Sequence, residues 1–384
     1  MNATGTTVLH SARLVSGGEI TEDAWLLLDG DVVSARGTGA DWQRHAPAEV
    51  IDASGRVLTP GFIDLHCHGG GGAAVDDGAA AIARVLDTHT AHGTTRSVLS
   101  LVSARIDTLA SRLAAIVEAK ARDPRVLGAH LEGPFLHPDF RGAHDPDVLR
   151  DPDPETVRRL RDAAGNALVQ ITVAPDRPHA LEAIETFADA GVVVAVGHTG
   201  ADRALAEAAF ARGARLLTHA FNAMRGIHHR APGPVLAAVN ASGIVLEVIL
   251  DGSHVDPLVV RMLFDLAPGR IALVTDAMAA AGAADGDYIL GDLEVTVSEG
   301  IARLAGTETI AGSTLTQDAA LRRAVEQVGL DLPTAVAALT ETPARVVGRQ
   351  DRLGRLDPGF AADVVLLSPA LEVESVWSAG RRFR

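Results

Sequence analysis

Apolar and polar positions along this chain alternate between two textures. Short, near-continuous runs of Val, Ile, Leu and Ala occur at 62–66, 94–101, 126–131, 168–173, 192–196, 215–218, 244–250 and 271–275. Between them lie Ala/Leu/Arg-rich stretches whose apolar residues recur at helical spacing, for example at 154–164, 180–190, 201–212 and 257–266. The first of these opens with Asp153 as a cap and Pro154 at the first helical position. Strands this apolar must be covered on both faces, which is the condition of a parallel sheet clothed by helices. Eight such units predict a closed (β/α)8 barrel of the TIM type over 59–353. Spacing alone also admits an open doubly wound sheet.

The two ends of the chain have a different pattern. Residues 1–58 carry short alternating runs at 7–14, 24–28, 32–35, 50–52 and 56–59, separated by turns such as Asp29-Gly30-Asp31. Similar runs return at 354–356, 362–367 and 373–378, ahead of a basic Arg-Arg-Phe-Arg end. They predict one small β-sandwich domain built from 1–58 and 354–384. A further stretch, 285–311, reads as β-hairpins inserted into the barrel.

Composition narrows the classes of function. The chain has 384 residues, 47% of them hydrophobic and 22% charged, ordinary values for a globular enzyme-sized protein. A formal charge of −15 argues against a nucleic-acid or anionic-membrane surface, while leaving room for a local basic site that takes a small anion. Cys67 is the sole cysteine, so no intramolecular disulfide forms. The start, MNATGTTVLHSARLV, has neither a basic leader nor an apolar core of secretory length, and no apolar run approaches the ~20 residues of a membrane span. A cytoplasmic protein is the expectation. Lys120 is the only lysine.

In a barrel of this kind, functional groups gather at the carboxyl ends of the strands. The stretch PGFIDLHCHGGGG (60–72) ends an apolar strand in His66 and His68, which share a face because side chains alternate along a strand. Cys67 alternates away from both and is expected to pack. Corresponding positions of later strands supply Glu132, His198, His219 and Asp276. Four imidazoles and two carboxylates at one end of a barrel suit Zn²⁺ or Fe²⁺, with Mn²⁺ or Co²⁺ also compatible. A divalent metal lowers the pKa of a bound water towards ~7, and a neighbouring carboxylate can move the water proton to a leaving group. Asp276 is the candidate for that carboxylate, because closing the barrel brings the last strand beside the first. His130, on the same face as Glu132, is either a supporting group or a core histidine. In the loop RGIHHR, either Arg225 or Arg230 can meet an anion, and His228 and His229 are expected at the surface.

The stretch VLTPGFIDLHCHGG entering the barrel and LGRLDPGFAADVVLL leaving it resemble the amidohydrolase superfamily. Many of its amide-cleaving members bridge two metals with a carboxylated lysine, a role Lys120 cannot fill from a helical stretch. Glu132 can take that place. Finer motifs are similar to the N-acetylglucosamine-6-phosphate deacetylase family and follow its order: LEGPFL (131–136), RGAHDP (141–146), VGHT (196–199), THAFNAM (218–224), DGSHV (251–255), VTDAM (274–278) and AGSTLT (311–316).

That resemblance implies Glu132, His198 and His219 as the principal metal ligands, with His66 and His68 available for a second metal. It implies Asp276 as general acid/base and His144 as the group that orients and polarises the acetamide carbonyl. Asn222, Ala223, Arg230, His254 and Ala311 would meet the sugar phosphate, and a homodimer is implied. The expected reaction is hydrolysis of the N-acetyl group of N-acetyl-D-glucosamine 6-phosphate. The alternatives are another metal-dependent amidohydrolase (D-aminoacylase-like or a deaminase) and a catalytically silent sugar-phosphate sensor.

Overall fold

The computed structural model describes residues 5–384. The chain divides into two compact units. One comprises the described residues up to Asp64, with His89–Arg96 and Gln317–Arg384; the other comprises Leu65–Thr88 and Ser97–Thr316.

Eight strands form the barrel sheet, in order Phe62–Cys67, Thr94–Val102, Val126–Glu132, Leu168–Val173, Val193–Val196, Leu216–Leu217, Val245–Ile249 and Ile271–Val274, each beside its neighbour in sequence. The eight apolar runs of the sequence mark these strands to within a residue or two. Every residue of Phe62–Cys67, Thr94–Val102, Val245–Ile249 and Ile271–Val274 is buried, as a sheet covered on both faces requires. The ring closes where the last strand meets the first. Asp276 N donates to His66 O at 2.8 Å, His68 N donates to Ala277 O at 2.8 Å, and Cys67 and Ala277 form a parallel bridge. An open sheet is thereby ruled out.

The helices between strands follow from local chemistry. Asp153 accepts hydrogen bonds from Glu155 N and Thr156 N to cap Pro154–Ala164, which buries Val157, Leu160 and Ala164. Asp256 caps Pro257–Leu266 in the same way, and that helix buries Val260, Leu263 and Phe264. Each such leucine or phenylalanine contributes roughly 1.5–3 kcal/mol on burial. The inserted segment is a three-stranded antiparallel sheet, Gly286–Leu290, Leu293–Ser298 and Ile301–Leu304.

The terminal unit carries the second large sheet. Its path runs Arg381–Arg382, Val373–Ser378, Val364–Leu367, Val57–Pro60, Thr7–Ser16, Glu19–Asp29, Val32–Thr38. Both chain ends therefore build one sheet. The segment ahead of Val364–Leu367 also bonds to the far edge, where Val33 N donates to Phe360 O at 2.9 Å and Ala362 N to Asp31 O at 2.8 Å. The small β domain expected of the two chain ends is this sheet, with a core that includes Leu9, Leu26, Leu58, Val364 and Trp377. Residues 354–356, expected as a strand, are not one; Leu356 is instead buried in this core, its N–H bonded to Ser16 Oγ at 3.0 Å. The helices Gln317–Glu326, Leu332–Leu339 and Glu341–Val346 belong to this unit rather than to the barrel unit. No helix among the described residues is long and apolar enough to cross a membrane.

Candidate metal centre and active site

The candidate site lies wholly within the barrel unit, at the carboxyl ends of its strands. A repeated local device builds it. His198, His219 and Asp276 each stand two residues beyond the end of a strand, and each has a left-handed backbone, with φ of 49°, 23° and 48°. For a residue with a Cβ that conformation costs on the order of 1–2 kcal/mol. Three such residues at one pocket are strain concentrated at a functional site. Gly197, just before His198, is required by close approach: a Cβ there would lie 2.7 Å from Thr218 Cβ and 2.9 Å from Thr172 Cγ2.

Glu132, the last residue of its strand, is the centre of the cluster. Its Oε1 lies 3.0 Å from His198 Nε2, 3.0 Å from His219 Nε2 and 3.4 Å from His66 Nε2. Its Oε2 lies 3.1 Å from His68 Nε2 and 3.3 Å from His144 Nε2. Asp276 Oδ1 is 3.3 Å from the Nε2 atoms of both His66 and His68. The ring nitrogens also crowd one another: His66 and His68 Nε2 are 3.0 Å apart, as are His198 and His219 Nε2. Lone pairs placed this way face each other unless a proton or a cation lies between them.

Charge points the same way. Burial would raise the Glu132 and Asp276 carboxyls, but His66 and the neighbouring imidazoles hold Glu132 well below the ordinary range and Asp276 down at about 2. Burial would lower His66 and His68, yet the two carboxylates overcome it, raising His66 well above its ordinary value and His68 to about 9. His219 is raised against burial by Glu132. At His198 burial prevails over Glu132, and its pKa falls to about 4. Two buried carboxylates thus demand positive charge, which protons or divalent cations can supply. The ligand atoms of His66, His68, Glu132 and Asp276 all lie within 4.8 Å of one another, so the donor set fits a metal ion.

His144 comes equally close, grouping with Glu132 and His198, but its tautomer gives it another role. Its Nδ1 accepts the Ser103 backbone N–H at 3.2 Å, which leaves the proton on Nε2. His144 therefore presents a donor, not a ligand lone pair. His198 is the converse: its Nδ1–H faces the Phe140 carbonyl at 2.9 Å, freeing Nε2 for a metal.

These groups open into a cavity of about 290 Å³ lined by His68, His144, Asn222, Ala223, His254 and Asp276, with Leu290, Thr309 and Ile310 of the inserted segment and its flank forming another wall. His254 Nδ1 is 2.7 Å from Asp251 Oδ2. Burial pushes the Asp251 carboxyl up, but the His254 bond outweighs it and holds the pKa below the ordinary value.

Other expected residues lie elsewhere. Arg230 is exposed, its Nη1 2.7 Å from His229 Nε2, and it does not line the cavity; Arg225, His228 and His229 are exposed in the same loop. Ala311 is buried in the small core beneath the inserted sheet, between the lining residues Ile310 and Gly312. Lys120, on the helix Ile106–Arg122, reaches the Asn166 carbonyl at 2.8 Å, away from the site. Cys67 is buried. His130 is buried edge-on to His66, between Ser100 Oγ and Thr172 Oγ1 at 2.9 Å each. Burial, with the charge of His66, puts its pKa well below the ordinary value.

Two groups escaped the sequence reading. Ser103, just beyond the second strand, fixes the His144 tautomer and has no signal of its own. Glu247 did have one: a lone carboxylate inside the apolar run 244–250 must be buried, and buried charges are paired.

Comparison with known proteins agrees with this geometry. The sequence model of the amidohydrolase family matches residues 57–383. The chain is 36% identical to an N-acetylgalactosamine-6-phosphate deacetylase of Escherichia coli O157:H7, over 98% of this chain and 99% of that one. It is 32% identical to an N-acetylglucosamine-6-phosphate deacetylase of Vibrio furnissii, over 97% and 94%. Among solved structures, a mutant N-acetyl-D-glucosamine-6-phosphate deacetylase of Mycobacterium smegmatis, in complex with N-acetyl-D-glucosamine-6-phosphate, superposes with a TM-score of 0.94 at 39% identity, over 98% of this chain and 99% of that one.

Proposed function

The chain belongs to the amidohydrolase family, and we propose that it hydrolyses the N-acetyl group of N-acetyl-D-glucosamine 6-phosphate, giving acetate and glucosamine 6-phosphate in amino-sugar catabolism. The observation that carries this reading is the convergence, on one cavity, of the Glu132–His198–His219 cluster, a His144 Nε2–H donor and the ionised Asp276.

Glu132, His198 and His219 would hold a divalent cation, Zn²⁺ foremost and Fe²⁺, Mn²⁺ or Co²⁺ as alternatives, and His66 with His68 would complete a second position. When bound, such a cation lowers the pKa of water towards ~7 and withdraws electrons from a carbonyl oxygen. His144 donates its Nε2–H to the acetamide oxygen as negative charge grows there. Asp276 begins ionised, takes a proton from the attacking water and delivers it to the nitrogen as the C–N bond breaks. The second water proton leaves with the products, which at neutral pH are the carboxylate and the protonated amine, and Asp276 ends ionised as it began. The His254 imidazole and the Asn222–Ala223 backbone meet the phosphate, with Arg230 reaching it from its exposed loop or from the partner of a homodimer. A cytoplasmic enzyme acting on a small metabolite suits the acidic chain.

The test is turnover of three substrates by metal-analysed protein. A strong preference for N-acetyl-D-glucosamine 6-phosphate over N-acetylglucosamine supports the reading and its phosphate site. Preference for the galactosamine epimer keeps the chemistry and overturns the choice of sugar. Release of acetate from none of them, with metal bound, overturns the function and leaves N-acyl-D-amino acids or the ring substrates of a deaminase as the next substrates.

A further inference from the structure

Glu247 has no solvent exposure and stands in the middle of the otherwise apolar strand Val245–Ile249. Three donors converge on its carboxylate. Its Oε1 accepts from Gln170 Nε2 at 2.9 Å, while its Oε2 lies 3.3 Å from His66 Nδ1 and 3.4 Å from the His219 backbone N–H. A backbone N–H and an amide NH₂ can only donate. The His66 nitrogen that faces the same oxygen must therefore carry its proton towards Glu247. Among the described residues the Gln170 carboxamide oxygen has no partner, and its NH₂ group is turned to Glu247.

The consequence falls on the other side of the His66 ring. With Nδ1 committed to Glu247, Nε2 is the atom that faces His68 Nε2 at 3.0 Å and Asp276 Oδ1 at 3.3 Å. Of the four imidazoles in the cluster, His66 is the one whose Nδ1 is hydrogen-bonded to a carboxylate among the described residues. His198 has the Phe140 carbonyl, and among the described residues the Nδ1 atoms of His68 and His219 have no hydrogen-bond partner. A carboxylate behind a ligating imidazole fixes its tautomer and makes it a stronger ligand.

We propose that Glu247 is the positioning residue that turns His66 and His68 into a cation-binding pair, and so governs uptake of a second divalent cation beside the one held by Glu132, His198 and His219. The proposal rests on the reading of the cluster as a metal centre. It concerns occupancy, so it is tested on binding rather than turnover.

The probe is Zn²⁺, measured by elemental analysis and by competition with a chelating indicator, on the full chain and on E247L, E247Q, His66→Asn and the double variant His66→Asn/E247L. The wild type takes two equivalents. E247L and His66→Asn take one, at the affinity of the tighter wild-type site. The double variant also takes one, because the two changes remove the same thing. E247Q keeps size and an acceptor oxygen, and weakens the second equivalent by about 10–100-fold. If E247L does not fold, E247Q and His66→Asn carry the test. Two equivalents of unchanged affinity in E247Q or E247L overturn the proposal, as does a wild type that takes only one. A wild type that binds none overturns the metal-centre reading itself.

Discussion

Each unit of this protein buries a cluster of opposite charges, and the two are built to different ends. In the terminal unit, Asp363 accepts from Arg96 Nε at 2.6 Å, Arg96 Nη2 at 3.0 Å and Ala379 N at 2.7 Å. The guanidinium fork meets the carboxylate on two bonds, and neither residue has a positive φ. In the barrel unit, Glu132 and Asp276 are met by imidazoles whose nitrogens stand 3.0 Å from one another, and His198, His219 and Asp276 sit on backbone of positive φ. The first arrangement is closed on its carboxylate, which meets three donors of the chain itself. The second is closed only by an added positive charge. A buried pair that satisfies itself is structural, and one that does not is a place for a ligand.

The comparison breaks most visibly on removal of metal. Chelation of the holoenzyme is expected to abolish activity while leaving the circular-dichroism spectrum folded; full activity in metal-free protein would contradict the account of the barrel cluster. Next is Asp276→Asn, expected to lower kcat by about 10²–10⁴-fold with little change in melting temperature. A near-normal rate would remove Asp276 from proton transfer.

Asp363→Ala should do the reverse. It strands the buried Arg96 charge and is expected to cost about 3–5 kcal/mol of stability, read by denaturant melts, with kcat of the folded fraction unchanged. A variant as stable as the parent would show that this pair is dispensable.

A smaller effect separates the clusters by pH. Without a cation, His68 titrates at about 9 rather than at its ordinary 6.5. Its folded pKa is raised, so its contribution to the stability of the metal-free chain is fully present below pH 6.5 and is lost as pH rises through about 9. Cation affinity moves the other way, because a metal must displace that proton, and should rise across the same window. A flat affinity between pH 6.5 and 9 would contradict it. The least effect is expected from Ser103→Ala, which keeps the backbone N–H that sets the His144 tautomer and should cost about 0.5–1.5 kcal/mol or less in kcat/KM.

How much of this was legible depends on which residues one asks about. The strand at 168–173 and the helices at 154–164 and 257–266 were read to the residue, because period and caps are local properties. His66 and His68 were legible as a pair because alternation along a strand is also local. His144 was reached only through the family's motif, since no periodicity governs the loop it occupies. Its tautomer depends on a backbone N–H 41 residues away in sequence. Arg230 was legible as a basic loop residue, but whether a loop turns into a pocket or out to solvent is a tertiary matter, and here it is exposed.

By itself, then, the sequence determined the eight strands, the helices that cover them and the set of residues that end those strands. Burial pattern and side-chain alternation act over a few residues, so they are written in the chain. Only the tertiary structure decided that Asp276 meets His66, that Glu132 divides its two oxygens among five imidazoles, and that Glu247 stands behind one of them. Those pairings depend on closing a ring of strands far apart in sequence, where each tenth of a nanometre is set by packing the whole sheet rather than by any one segment.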